Sequence, residues 1–194
     1  MWMRIQRRLK KVPRPLGNVA TASPAGDALP PLVASGATVE LASSGGARAV
    51  PIEEFCTGPK RNALAPDELI RTIRLPAARG PQQFAKVGPR NAMVIAVCSF
   101  AVSLDVPGRT VRTAIGSAAP TVIRATDAEA FVEGVLEEAD GWERRTPLPA
   151  SALARFGELV GAAASPIDDV RGSVAYRRHA LAILARRTLA WCLE

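Results

Sequence analysis

One long apolar run, residues 94–104, constrains the fold more than any other stretch of the sequence. Only two serines interrupt it, so both faces of a strand formed here would be almost entirely apolar. Such a strand needs cover on both sides, as in sheets packed under helices. The run is too short to cross a bilayer as a helix. The sequence therefore predicts a soluble, layered protein in which helices cover a small sheet.

Three amphipathic helices downstream are expected to provide this cover. Apolar residues form single stripes around Phe131, around Phe156 and along residues 173–191. Thr126 and Glu129 have the spacing of a capping box at the start of the first helix. A sheet followed by helices predicts an α+β fold for this part of the chain.

Further strands are predicted on both sides of the apolar run. Residues 83–87 and 109–115 flank it and complete a three-stranded sheet. Earlier in the chain, residues 37–42 and 47–50 form a hairpin across a Gly-Gly turn, and residues 67–75 alternate apolar and polar side chains as a strand does. The first part of the chain is thus also expected to contain a small sheet.

A change of composition at residues 76–81, rich in Pro, Ala, Arg and Gly, is the best internal boundary. We therefore divide the chain into a basic arm at 1–16, a first unit at 17–78 and a second unit at 79–194. A short helix is predicted near Pro30, at the start of the first unit.

Most of the net charge of +7 lies in the basic arm. Residues 1–14 contain six Lys or Arg residues and no acid, so the rest of the chain is close to neutral. A solvated tail is favoured over a nucleic-acid-binding arm, because no reading helix accompanies the charge. Pro13 and Pro15 are predicted to stop any helix before residue 17.

The few cysteine and histidine residues argue against several classes of site. Cys56, Cys98 and Cys192 are far apart and show no C-x-x-C spacing, so neither a disulfide framework nor a metal site is expected. His179, the single histidine, lies among arginines and is predicted to face solvent, which leaves a Ser-His-Asp mechanism without support. No secretion signal is recognisable, so the cytoplasm is the expected compartment.

Residues 17–27 combine glycines with short polar side chains, a composition that can bind a polar ligand. Gly17 allows close approach to the backbone, while Asn18, Thr21 and Asp27 supply hydrogen-bonding groups. Such runs are more often ordinary loops. From the residues alone, both interpretations remain open.

Five segments matter more for their order than for their individual sequences. They are residues 17–30, 58–70, 84–97, 119–125 and 167–178. Together they resemble the FAD-binding medium subunit of molybdenum hydroxylases of the carbon monoxide dehydrogenase and xanthine dehydrogenase type. The resemblance covers nearly all of residues 17–194, without the family's N-terminal FAD subdomain, so the chain is expected to be a truncated medium subunit whose basic arm is non-homologous.

The resemblance implies both a fold and a function. The fold would be a partial second subdomain of a vanillyl-alcohol-oxidase-like FAD-binding domain, followed by a C-terminal domain with a three-stranded antiparallel sheet and about three helices. The chain would pass electrons from iron–sulfur clusters through FAD to an external acceptor. Its partners would be a molybdenum-containing large subunit and an iron–sulfur small subunit, with no specific nucleic acid and no membrane span.

The resemblance also assigns residues to the cofactor and none to catalysis or to a metal. The assigned residues are Gly17, Asn18, Thr21, Asp27, Leu69, Ile70 and Lys86. The first three would contact the FAD diphosphate region, Asp27 would accept hydrogen bonds from FAD, Leu69 or Ile70 would pack near the ring system, and Lys86 would place positive charge near reduced flavin.

Ordinary structural roles compete with these assignments. Asp27 would then cap the following helix, Leu69 and Ile70 would be strand core, and Lys86 would be a solvated lysine at a sheet edge. At the level of function, the competing hypothesis is a flavin-free assembly module derived from the same subunit. In either case an oxidoreductase activity would belong to the complex rather than to this chain alone.

Overall fold

The computed structural model describes residues 14–90, 94–144 and 146–194. Within them the helices are α1 (Arg14–Thr21), α2 (Leu29–Ala34), α3 (Ile52–Phe55), α4 (Thr126–Glu138), α5 (Gly141–Arg144), α6 (Ala150–Ala163) and α7 (Val174–Leu193). The strands are β1 (Thr38–Ser43), β2 (Gly46–Pro51), β3 (Cys56–Gly58), β4 (Arg61–Asn62), β5 (Leu69–Arg74), β6 (Gln82–Val87), β7 (Cys98–Asp105) and β8 (Thr110–Gly116). The predicted α+β fold is confirmed.

The first sheet has the strand order β2-β1-β5, and all its pairings are antiparallel. Ser43 pairs with Gly46 at the end of the β1–β2 hairpin, where Gly46 has a φ of 141° that favours glycine. The predicted hairpin, the strand at β5 and the short helix at α2 are therefore confirmed. Val39, Leu41 and Phe55 are fully buried in the core beneath this sheet.

The second sheet has the order β6-β7-β8 and is also antiparallel. Its middle strand, β7, occupies most of the apolar run but begins at Cys98 rather than at residue 94. Cys98 pairs with Val87, the last residue of β6, so within the described residues the ladder ends there, apart from the N–H of Val97, which donates to the Val87 carbonyl oxygen. The expected strand is therefore four residues shorter at its start.

The two faces of β7 are covered by different parts of the chain. Phe100 lies in the core formed with α4, α6 and α7, where its ring meets Phe156 edge to face at a centroid distance of 6.1 Å. Ala101 and Ala114, on the opposite face, belong to the core of the first sheet, and α2 packs there against β7 and β8. The prediction that the later helices alone cover this strand is therefore wrong for one face.

Two local predictions about helix starts are also wrong. Pro15 does not keep residue 17 out of a helix, since α1 runs from Arg14 to Thr21. Proline is tolerated in the first turn of a helix, because an N–H at that position would have no intrahelical acceptor in any case. Thr126 does not form a capping box with Glu129. No side chain caps α4, because the Glu129 carboxylate binds Thr113 and Arg124 instead.

Candidate functional site

Lys86, Ser99 and Gly116 lie side by side across the second sheet. Lys86 pairs with Ser99 and Ser99 with Gly116, so the three residues share the sheet face that points toward the first part of the chain. The connection between α1 and α2 crosses this row. A Cβ on Gly116 would stand 2.4 Å from Ser99 Oγ and 2.7 Å from Pro30 Cγ, so the close approach depends on glycine.

This arrangement joins two of the predicted site residues directly. The Lys86 ammonium donates to Asp27 Oδ2 at 2.5 Å and to the carbonyl oxygen of Val94 at 3.1 Å. The side chains remain 27% and 48% exposed, so a ligand can still reach both. Asp27 does not cap the next helix, whose N-cap is Ala28 without a side-chain hydrogen bond. Lys86 is likewise not a freely solvated lysine.

The predicted residues on α1 lie at the surface of the same region. Gly17 and Thr21 are exposed and one helical turn apart, and a Cβ on Gly17 would meet no atom within 4 Å. The Asn18 side chain lies against Gly26, where an added Cβ would stand 2.8 Å from Asn18 Oδ1. Val19 is fully buried and anchors the helix to the core.

Asn62 is a site-supporting residue that sequence reasoning missed. Its Nδ2 donates to the carbonyl oxygen of Ala20 at 2.8 Å, and the backbone N–H of Lys60 donates to Ala22 at 3.1 Å. The short β3–β4 hairpin thus holds the end of α1. No local pattern signals this role, because the partners of Asn62 lie about forty residues away in the sequence.

The two candidate ring contacts on β5 have different environments. Leu69 is 61% exposed, whereas Ile70 is half-buried and packs against the first core. They point to opposite sheet faces, as adjacent strand residues must. Leu69 therefore offers apolar surface to a ligand, and Ile70 serves mainly as strand core.

The site residues fit FAD by the chemistry that they offer. A ligand with a polar diphosphate and an aromatic ring would find suitable groups here. They are open space at Gly17, a hydroxyl at Thr21, an accessible carboxylate at Asp27, an accessible ammonium at Lys86 and an exposed apolar side chain at Leu69.

Other chemistry has less support among the described residues. Burial raises the pKa of Cys56 and of Cys98 to about 11, so neither is a reactive thiolate at neutral pH. In the parts of the chain that the structure describes, no three or more His, Cys, Asp or Glu side chains are grouped to hold a metal ion. Nor is any helix there sufficiently long and apolar to span a bilayer.

Comparison with known protein families assigns almost the whole chain. Residues 15–78 match the FAD binding domain in molybdopterin dehydrogenase, and residues 83–192 match the CO dehydrogenase flavoprotein C-terminal domain. This chain belongs to the FAD-binding flavoprotein family of the molybdenum hydroxylases. The family, its cofactor FAD and its fold, all predicted from the sequence, are thereby confirmed.

Individual relatives agree with this membership. The chain is 28% identical over 182 residues to the putative xanthine dehydrogenase FAD-binding subunit of Escherichia coli (strain K12), covering 90% of this chain and 58% of the relative. It is 29% identical over 178 residues to the nicotine 6-hydroxylase medium subunit of Paenarthrobacter nicotinovorans, covering 89% and 58%.

The solved structure of carbon monoxide dehydrogenase from Hydrogenophaga pseudoflava shares the fold of this chain. Its TM-score is 0.77 at 26% identity, and the match covers 91% of this chain and 60% of that one. The chain thus spans less than two thirds of each of these relatives.

Proposed function

We propose that this chain is the FAD-binding electron-transfer subunit of a molybdenum hydroxylase complex. The observation that carries the proposal is the contact between Lys86 and Asp27, two residues assigned to FAD by resemblance and brought to 2.5 Å from positions 59 residues apart. In this proposal residues 17–78 form part of the FAD-binding domain and residues 79–194 form the C-terminal domain.

The chain's own residues would divide the binding of FAD among them. Gly17 would let the diphosphate region approach α1 closely, and Asn18 and Thr21 would hold it through side-chain donors. Leu69 would cover part of the ring system with apolar surface, as the exposure of its side chain permits. This apolar contact would exclude water from part of the ring system.

Asp27 and Lys86 would set the polar and electrostatic environment of the ring. The Asp27 carboxylate can accept hydrogen bonds, and the Lys86 ammonium would keep a positive charge close by, which favours additional negative charge on a neighbouring group. The carbonyl of Val94 holds the Lys86 ammonium in place from the other side. Bound FAD would supply the redox chemistry, since flavins perform both hydride and one-electron transfer.

The remaining subunits would supply the other cofactors. We propose a molybdenum-containing large subunit and an iron–sulfur small subunit as partners, and the cytoplasm as the compartment. The names of the relatives support this division, since one is a FAD-binding subunit and another a medium subunit. Electrons would then pass from the iron–sulfur clusters to FAD and on to an external acceptor.

FAD binding can be tested on the full chain by titration, followed through the quenching of flavin fluorescence. We expect saturable binding of one FAD per chain. Replacing Lys86 with methionine should weaken this binding about tenfold, which corresponds to about 1.4 kcal/mol. Lys60→Met is the matched control, because Lys60 is an exposed lysine that contributes only its backbone N–H to the site.

Two outcomes would contradict the proposal in different ways. Equal FAD affinity of the Lys86→Met and Lys60→Met variants would remove Lys86 from the site. A chain that co-purifies with the molybdenum and iron–sulfur subunits but carries no flavin would instead support the flavin-free assembly module.

A further inference from the structure

Arg177, a buried arginine of α7, is connected to the loop that carries Asp27 by a continuous series of hydrogen bonds. Its side chain is 4% exposed and its Nη1 donates to the carbonyl oxygen of Ser117. The N–H of Ser117 in turn donates to the carbonyl oxygen of Pro24 at 2.8 Å. One residue therefore links the helix at the end of the chain to the connection between α1 and α2.

Ser117 has a backbone conformation that its neighbours must impose. Its φ of 60° lies in the left-handed region, which costs a residue other than glycine about 1–2 kcal/mol. It directly follows Gly116, over which Pro30 packs. With its N–H bonded to Pro24 and its carbonyl to Arg177, both peptide groups of Ser117 are held from opposite sides.

Two consecutive tight turns connect Pro24 to the proposed flavin site. The N–H of Gly26 donates to the carbonyl oxygen of Ser23 at 2.9 Å, and the N–H of Leu29 donates to Gly26 at 3.0 Å. Asp27 lies within the second turn and reaches Lys86. The second turn leads directly into α2, and the bond from Ser117 to Pro24 fixes the first turn against the second sheet.

Arg177 occupies its position at an energetic cost. Its Nε has no hydrogen-bond partner in the described part of the chain, and the same holds for the buried Oγ of Ser117. Unsatisfied buried polar atoms are rare and destabilising. Asp169 compensates in part, since its Oδ1 accepts from Arg177 Nη2 at 2.6 Å. The guanidinium is thus oriented between Asp169 and the Ser117 carbonyl rather than placed for maximal hydrogen bonding.

We propose that Arg177 is a positioning residue of the flavin site, which acts through Ser117 and Pro24 to hold Asp27 beside Lys86. This inference rests on the proposed function, because the positioned residue is assigned to FAD there. Arg177 itself does not contact the ligand in this proposal. Its effect on FAD is indirect and should exceed what its contribution to stability alone would produce.

The first test compares variants of the full chain by FAD titration and by urea unfolding. We expect Arg177→Met to weaken FAD binding about tenfold and Arg177→Lys, which retains a donor for the Ser117 carbonyl, to restore most of the affinity. Leu181→Ala is the matched control. Leu181 is fully buried one turn further along α7, so its truncation lowers stability without touching the Ser117 connection.

The second measurement does not depend on FAD. In the ligand-free chain, the amide NMR resonances of Gly26 and Asp27 should shift in Arg177→Met and stay unchanged in Leu181→Ala. Should Arg177→Met fail to fold, Asp169→Ala takes its place, because it releases the guanidinium from its other side.

The possible results separate this inference from the proposed function. The positioning role would be overturned if Arg177→Met and Leu181→Ala, at equal loss of stability, lost the same FAD affinity. It would also be overturned if Arg177→Lys recovered none of the FAD affinity that Arg177→Met loses. If the unmodified chain binds no FAD, the proposed function fails for the chain alone. The NMR comparison then still decides whether Arg177 fixes the turn, and unchanged Gly26 and Asp27 resonances would refute it.

Discussion

Replacing Glu129 with alanine is expected to lower the free energy of unfolding by about 3–5 kcal/mol. Glu129 lies on α4 with 3% of its surface exposed. Its Oε1 accepts from the backbone N–H of Thr113 at 2.6 Å and from the Thr113 hydroxyl at 2.8 Å. Arg124 contributes two further donors, Nε at 3.1 Å and Nη2 at 2.5 Å. One carboxylate on α4 therefore satisfies four donors, two on Thr113 of β8 and two on Arg124, which precedes α4.

The magnitude follows from what the variant would leave behind. The N–H and hydroxyl of Thr113 are fully buried, and each buried donor without an acceptor costs about 1–3 kcal/mol. Arg124 is partly exposed, so water can replace some of what it loses. The Thr113 hydroxyl also accepts from the N–H of Ala125 at 3.0 Å, so its orientation at the start of α4 is affected as well.

Urea unfolding followed by circular dichroism measures this change, with Glu133→Ala as the matched control. Glu133 lies one turn further along α4 and accepts a single hydrogen bond, from the N–H of Val111 at 2.7 Å. Its removal should cost about 0.5–1.5 kcal/mol. A loss of less than 1 kcal/mol in Glu129→Ala, or an equal loss in both variants, would refute the reasoning that the buried network is a main stabiliser.

Two further predictions concern helix packing and acid stability. Gly157→Ala should lower the free energy of unfolding by about 1–3 kcal/mol, because the added Cβ would stand 2.6 Å from the carbonyl oxygen of Ala182. Gly134→Ala should raise it by up to about 1 kcal/mol, because no atom lies within 4 Å of the added Cβ. Urea unfolding measures both changes, and a stabilised Gly157→Ala would contradict the close helix contact. Hydrogen bonding, above all from the Arg48 side chain, lowers the pKa of Glu68 from its ordinary 4.5 to about 2. The stability that this carboxylate contributes should therefore be complete above about pH 4.5 and be lost as the pH falls toward 2. The thermal unfolding midpoints of the unmodified chain and of Glu68→Gln should converge over that range. A constant difference between the two midpoints would exclude the linkage.

Secondary structure was predictable from the sequence wherever the local pattern was strong. Three patterns each identified the right type of element. They are the alternation at β5, the Gly45-Gly46 pair in the β1–β2 hairpin and the apolar stripe of α7. The exposed position of His179 is also confirmed. Errors arose where the outcome depended on a distant partner, as for Glu129, which binds Thr113 instead of capping its own helix.

The candidate site shows the same division. The resemblance named Asp27 and Lys86 separately, but nothing in the sequence indicates that they contact each other, and their assignment to FAD stays a prediction. Ser117 and Arg177 were not assigned to the site at all. Their connection crosses 60 residues of sequence, and a side-chain contact of that range leaves no local pattern.

By itself the sequence determined the family, the cofactor and the α+β class, because ordered motifs and the periods of helix and strand are properties of neighbouring residues. Only the tertiary structure decided that α2 covers the second face of β7 and that Asp27 lies beside Lys86. The physical reason is that packing and hydrogen bonding act between atoms close in space. Their partners are known only once the sheet places Lys86, Ser99 and Gly116 in one row beneath the turn.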